Sequence, residues 1–197
     1  MLNIAVMISG GGTTLQHLID LMAAGELPIR IVGVLSSKFD VLGLERAKKH
    51  QLLTAVIPWK YHQPDVHSFG TAITKQLEVW KPQLIVMAGF IHFYEVPATY
   101  AGRIINVHPA LLPKHGGKGM YGIYVQEAAL AAGDKETGCT VHYVDNQYDH
   151  GPVILQRRIP VRPGDDANTL MARVQAEERL ALPAALRQLA ATITAPD

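Results

Sequence analysis

Apolar and polar positions follow two rhythms along this chain, and the rhythm changes wherever glycine or proline clusters. An unbroken apolar run, Ile4 to Ile8, is followed by Ser9-Gly10-Gly11-Gly12-Thr13-Thr14, after which Leu15, Leu18, Ile19 and Met22 recur at helical spacing. That is the pattern of strand, glycine loop and helix. The pattern repeats with a strand Ile29 to Leu35, a helix Leu42 to His50, a short strand Thr54 to Ile57, a helix Phe69 to Trp80 and the run Leu84 to Met87. Strands apolar on both faces belong inside a parallel sheet covered by helices. Right-handed crossovers then bring the strand ends to one edge, where ligands bind.

Beyond Tyr100 the pattern loosens. It predicts a strand Ile104 to Val107, a proline- and glycine-rich stretch Pro109 to Gly122, a helix through Ala132, and sheet-like segments Cys139 to Val144 and Val153 to Val161. A last helix runs from Ala167 to Ala191, and Pro183 is the place where it would break. The expected fold is α/β and Rossmann-like: a mostly parallel twisted sheet flanked by helices, continuing into a smaller C-terminal lobe with antiparallel edge strands. All of 1–197 reads as one domain, with a lobe over 1–100 and a second over 101–197 sharing the sheet. A chain of this length buries roughly 70% of its unfolded surface.

Composition narrows the partners. The chain is 48% hydrophobic and 18% charged, with 18 basic against 17 acidic residues, so nothing asks for nucleic acid. Its nine histidines are scattered rather than gathered into a basic stripe. Cys139 is the one cysteine, which excludes an internal disulfide and suits a cytoplasmic, reducing setting. The apolar N-terminus is too short to span a bilayer and reads as a buried strand.

Two places carry chemistry. A glycine turn feeding a helix offers free backbone N–H groups at the positive end of the helix dipole, which holds a phosphate without a lysine. The dinucleotide fingerprint fits poorly, because its third glycine falls on Leu15 and Leu35-Ser36-Ser37-Lys38 lacks a ribose-binding carboxylate. A phosphate monoester is therefore expected rather than NAD, with a plain tight turn as the alternative. In Asn106-Val107-His108, alternation puts Asn106 and His108 on one side of a strand end, and Pro109 stops the strand. Asp149 lies in the turn-forming loop Asp145 to Pro152. Taken singly, Asn106 reads as a cap, His108 as a half-buried histidine and Asp149 as a turn residue.

Taken together, Ile8-Ser9-Gly10, Met87-Ala88-Gly89-Phe90, Asn106 to Pro113 and Asp149 to Gln156 resemble the phosphoribosylglycinamide formyltransferase family in order and spacing over nearly the whole chain. The Asn-x-His-Pro-x-Leu-Leu-Pro segment is shared with methionyl-tRNA formyltransferase and formyltetrahydrofolate deformylase. Their additional domains make both relatives less expected here. The resemblance implies formyl transfer from 10-formyltetrahydrofolate to the amine of glycinamide ribonucleotide, with Asn106, His108 and Asp149 as catalytic residues and no metal. It implies that Gly12, Thr13 and Thr14 meet the ribonucleotide phosphate, that Gln175 and Glu178 hold ribose or amide groups, and that Gly89 borders the amine. Folate is expected against Ile91, His92, Phe93 and Tyr94, and against Val144 and Asn106. The partners implied are small molecules, with no membrane or nucleic acid, for a monomer or homodimer.

Two segments depart from the family's usual pattern: Thr13-Thr14 stands where Ser-Asn is more common, and the loop after Pro113 reads Lys114-His115-Gly116-Gly117-Lys118-Gly119-Met120-Tyr121-Gly122. That loop reads as a lid with Lys114 and Lys118 facing anions, or as a simple connector. Three rival functions are a metal site on His108, His115, His142 and His150, a sugar-phosphate-binding module without turnover, and a formyltransferase acting on another amine such as an amino sugar nucleotide.

Overall fold

The computed structural model describes residues 1–193, in two compact units: Met1–Ile105 with the chain from Leu186 onward, and Asn106–Ala185. In the first unit, β1 (Leu2–Ile8) runs parallel to both β2 (Ile29–Ser36) and β4 (Leu84–Met87), and β3 (Thr54–Val56) runs parallel to β2. Leu2 and every residue from Ile4 to Ile8 are fully buried, which is why β1 is apolar at every position but Asn3 rather than alternating. Helices α1 (Thr13–Ala23), α2 (Leu42–Lys49) and α3 (Val66–Trp80) connect these strands. Helix α3 starts at Val66, earlier than its apolar spacing predicts, because the Asp65 carboxylate accepts the Ser68 N–H at 2.9 Å and caps it.

One glycine in β2 is explained by packing. A Cβ on Gly33 would lie 2.3 Å from the Trp80 ring, so the indole at the end of α3 occupies the space a side chain would need. Beside it the β1–β2 register shifts between Ile4 and Ala5, leaving Val32 as a bulge.

Strand β5 (Ile104–His108) begins in the first unit and ends in the second. The second unit continues with α4 (Ile123–Ala131), the antiparallel pair β6 (Glu136–Tyr143) and β7 (Val153–Pro160), and most of α5 (Ala167–Ile193). The strand order is β3-β2-β1-β4-β5-β6-β7, a mixed sheet with parallel pairing from β3 to β4 and an antiparallel edge pair. In β6–β7 the register shifts between Val141 and His142, which pair with Leu155 and Val153, so Ile154 is the extra residue.

The expected break at Pro183 does not occur, for α5 runs through it. An interior proline costs about 3 kcal/mol. Leu182 and Leu186, either side of it, are wholly buried, and burying one leucine contributes about 1.5–3 kcal/mol. Together they match or exceed the cost of the proline.

Candidate active site

The strand ends of the first unit are tied by hydroxyls. Ser9 Oγ lies 2.6 Å from Ser37 Oγ and accepts the Ile91 N–H at 3.1 Å, while the Ser9 N–H donates to the Gly89 carbonyl at 3.1 Å. These contacts join the ends of β1, β2 and β4. Gly12 is the N-cap of α1 with φ 67°, and α1 has no side-chain cap and no acidic residue in its first turn. A Cβ on Gly12 would meet the Gly43 Cα at 2.5 Å, and one on Gly43 would meet Ile8 at 2.4 Å. The loop thus sits glycine on glycine against the start of α2. The Gly10 carbonyl accepts the Gly43 N–H at 3.1 Å, and the Gly11 carbonyl accepts from Arg46 Nε at 3.0 Å. With those two carbonyls turned toward α2, the uncapped amides at the start of α1 are the groups presented beside Thr13 and Thr14.

Gly89 is exposed, with φ 73°. Of the segment expected to meet folate, the Ile91 N–H is already taken by Ser9. Tyr94 is a core residue. Its hydroxyl lies 2.8 Å from Thr74 Oγ1, and burial pushes its pKa up to about 12. His92 is half-buried and stacks on Trp59 at 5.6 Å, with Phe69 and Phe90 at its edges; its Nε2 is buried without a partner. Burial, and then Lys38, hold the His92 imidazole below its ordinary pKa. Phe93 is half-buried.

In the second unit Asn106, His108 and Asp149 do converge. His108 is buried, its Nε2–H donating to the His115 carbonyl at 2.9 Å and its Nδ1 facing Asp149 Oδ1 at 3.6 Å. Asp149 has a left-handed backbone, φ 50°, which aspartate tolerates, and its Oδ2 accepts the Gly117 N–H at 2.9 Å. A residue not singled out as catalytic completes the group. His142 is buried, donates Nδ1–H to the Tyr143 carbonyl at 2.8 Å, and so offers Nε2 as an acceptor to the Asn106 amide at 3.3 Å. Burial holds its pKa below the ordinary value, with His108 adding to that effect and the Tyr143 carbonyl, Asp149 and Asp145 opposing it. A neutral His142 thereby dictates which end of the Asn106 amide faces it and leaves the second N–H of that amide for another acceptor. His142 Nε2 also stands 3.7 Å from Asp149 Oδ1.

The segment carrying this group is held by buried and half-buried polar side chains. Thr140 Oγ1 donates to the Ala110 carbonyl at 2.6 Å and accepts the Leu112 N–H at 3.1 Å, and Gln156 donates to the Leu112 carbonyl at 2.9 Å. Gln126, wholly buried in α4, donates to the Pro109 carbonyl at 2.7 Å. Asp149 borders a hollow of about 320 Å³ whose walls include Leu112, Gly116, Tyr148 and Val153.

Val144 follows β6 and is half-buried, as are Gln175 and Glu178 on α5. Burial pushes the Glu178 carboxyl up to about 7. Lys114, expected to face anions, is instead paired with Asp134. Lys118 is exposed. Among the described residues no group of three or more His, Cys, Asp or Glu side chains is placed to hold a metal ion, and no helix is long and apolar enough to cross a membrane.

A half-buried amide and carboxylate gathered with a buried imidazole at a strand end suit acyl transfer through a tetrahedral oxyanion. The chain belongs to the formyl transferase family, whose sequence pattern matches residues 2–186. Within that family it is similar to the phosphoribosylglycinamide formyltransferase of Haemophilus influenzae, 39% identical over 90% of this chain and 82% of the relative. The solved phosphoribosylglycinamide formyltransferase of Coxiella burnetii matches with a TM-score of 0.87 at 40% identity, covering 97% of this chain and 88% of that one. A trifunctional purine biosynthetic protein of Drosophila pseudoobscura pseudoobscura is 43% identical over 95% of this chain, which spans only 14% of that relative's length.

Proposed function

We propose that this protein transfers the formyl group of 10-formyltetrahydrofolate to the amine of glycinamide ribonucleotide, giving the formylated ribonucleotide and tetrahydrofolate for purine synthesis. The observation that carries the reading is the convergence of Asn106, His108 and Asp149. The amine attacks the formyl carbon, forming a tetrahedral oxyanion, and the C–N bond to folate N10 breaks as a proton passes from the attacking to the leaving nitrogen.

The free Asn106 N–H is one donor to the oxyanion. Nε2 of His108 is saturated by the His115 carbonyl, so Nδ1 is the nitrogen left for substrate. At 3.6 Å from Asp149 it is close without being hydrogen-bonded, and catalytic contacts of that length tighten when substrates bind. Asp149 stabilises the imidazolium and receives the proton released by the amine. Support for the rest comes from the uncapped start of α1 for the phosphate at Gly12, Thr13 and Thr14, from Gly89 for the amine, and from Gln175 and Glu178 as ribose or amide partners. Folate is assigned to Ile91, His92, Phe93, Tyr94, Val144 and Asn106, with backbone groups for Tyr94. The buried, unpaired Cys139 suits a cytoplasmic enzyme, as a monomer or homodimer.

The test mixes purified protein with both substrates, follows folate absorbance and identifies the product by mass spectrometry. Amine-dependent formylation of the ribonucleotide is expected. Folate release without it would assign a deformylase, and formylation of an amino sugar nucleotide alone would move the acceptor.

A further inference from the structure

The loop after β5 touches both members of the His108–Asp149 pair. His115 contributes the carbonyl that accepts from His108 Nε2 at 2.9 Å, and Gly117 contributes the N–H that reaches Asp149 Oδ2 at 2.9 Å. Gly116 fits closely between them, since a Cβ there would lie 2.7 Å from Leu112 and 3.1 Å from the Asp149 Cβ. To aim its carbonyl this way His115 adopts a left-handed backbone, φ 54°, uncommon for a residue with a side chain though commoner for histidine than for most, and a contact from outside the loop supports it.

The support is a carboxylate just past α4. His115 Nε2–H donates to Asp134 Oδ2 at 2.7 Å, and the other oxygen of Asp134 takes the Lys114 ammonium. Asp134 is itself seated by its N–H on the Ala129 carbonyl at 3.1 Å, so the anchor belongs to the helix end rather than to the loop. Its side chain is 8% exposed and that of His115 13%, so the pair is shielded from solvent competition. Lys114, and then His115, hold the Asp134 carboxyl below the usual carboxylate range. None of these contacts is needed to connect β5 to α4. A connector alone could leave His115 in solvent.

We propose that Asp134 is a positioning residue for formyl transfer: by gripping His115 it fixes the carbonyl that saturates His108 Nε2, and so keeps His108 Nδ1 turned to Asp149 and the substrate. The inference rests on the formyl-transfer reading, yet half of its test does not. An imidazole whose Nε2 loses its fixed acceptor turns about its ring torsion or changes tautomer, and either change removes Nδ1 from line.

The experiment compares Asp134→Ala, Asp134→Asn and His115→Asn with the wild type. Asparagine at 115 tolerates the left-handed backbone but cannot reproduce the imidazole's bond to Asp134, so it cuts the link from the other end if Asp134→Ala fails to fold. The first readout is the ¹⁵N shift and coupling pattern of the His108 ring in ligand-free protein. The second is kcat, KM and the pH profile. Asp134→Ala and His115→Asn should lose the wild-type Nε2–H signature and drop kcat by about tenfold to a hundredfold, while KM stays within about twofold. Asp134→Asn, which still offers His115 an acceptor oxygen, should recover most of both. A wild-type His108 signature with wild-type kcat in Asp134→Ala or His115→Asn overturns the proposal. If the wild type forms no formylated ribonucleotide, the reading of its activity fails by itself, and the ring signature still decides whether Asp134 positions His108.

Discussion

At Asp149 one carboxylate faces the His108 imidazole through Oδ1 and accepts a backbone N–H through Oδ2. Asparagine would keep an oxygen for Gly117 and tolerate the left-handed backbone, but it would remove the charge facing His108. Asp149→Asn should therefore melt close to the wild type while kcat falls roughly 10²- to 10⁴-fold; steady-state rates beside a thermal melt check this, and near-normal turnover would take Asp149 out of the chemistry. Glu178 gives a second prediction. Its folded pKa of about 7 lies above the ordinary 4.5, so the folded state binds the proton more tightly than the unfolded chain does. The associated stability is full below the ordinary carboxylate range and is lost as pH rises through about 7. Between about pH 6 and pH 8 the wild-type melting temperature should fall more than that of Glu178→Gln, and parallel curves would contradict the assignment. The sequence made Asp149 legible only as a turn residue and through resemblance. His142 was harder to see, because a histidine in an apolar strand shows neither its partner at Tyr143 nor the bulge beside it.

At the level of elements, the glycine loop illustrates what period and propensity can and cannot say. Strand, loop and helix were readable from Ile4 to Met22, yet the reason for Gly12 lies in α2. A Cβ there would strike the Gly43 backbone, and φ 67° would be strained besides. Gly12→Ala should cost more than about 1 kcal/mol in urea unfolding and weaken ribonucleotide binding with it; unchanged stability would mean that α2 yields easily. The start of α3 was missed because the Asp65 cap decided it, whereas α5 starts at Ala167 as expected, behind the cap of Asp166. The expected break in α5 failed because proline disfavours an interior helix position by a fixed amount, whereas the burial of Leu182 and Leu186 is a tertiary quantity. The loop from Lys114 to Gly122 was legible as glycine-rich. Its tether at Asp134 was not, since that contact joins residues far apart in the chain.

For the molecule as a whole, apolar runs separated by helical spacing announced the parallel strands, and the looser pattern past Tyr100 announced the antiparallel pair. What stayed hidden was the polar network of the buried Gln126 and Thr140 with the half-buried Gln156, because each looks like an ordinary polar residue until the backbone it serves is in place. Cys139 reports on that same interior. It is wholly buried in β6, and its thiol is pushed up to about 12, by burial first and then by Glu178 and Glu177. A thiol reagent should leave native protein unmodified and react only as denaturant unfolds it, with the labelling midpoint matching that of circular dichroism; rapid labelling in native buffer would show that β6 opens locally. The extra residue at Ile154 has a consequence for how this hairpin can change in length. Side chains along a strand change face with every residue, so this extra residue is what lets Leu155 and Val153, two apart in β7, pair with the adjacent and oppositely facing Val141 and His142; its removal would restore an even pairing with those partners kept. Single-residue insertions and deletions in β6 beside His142, which would turn it to the other face, should therefore be lost from a selected library, while loss of Ile154 survives.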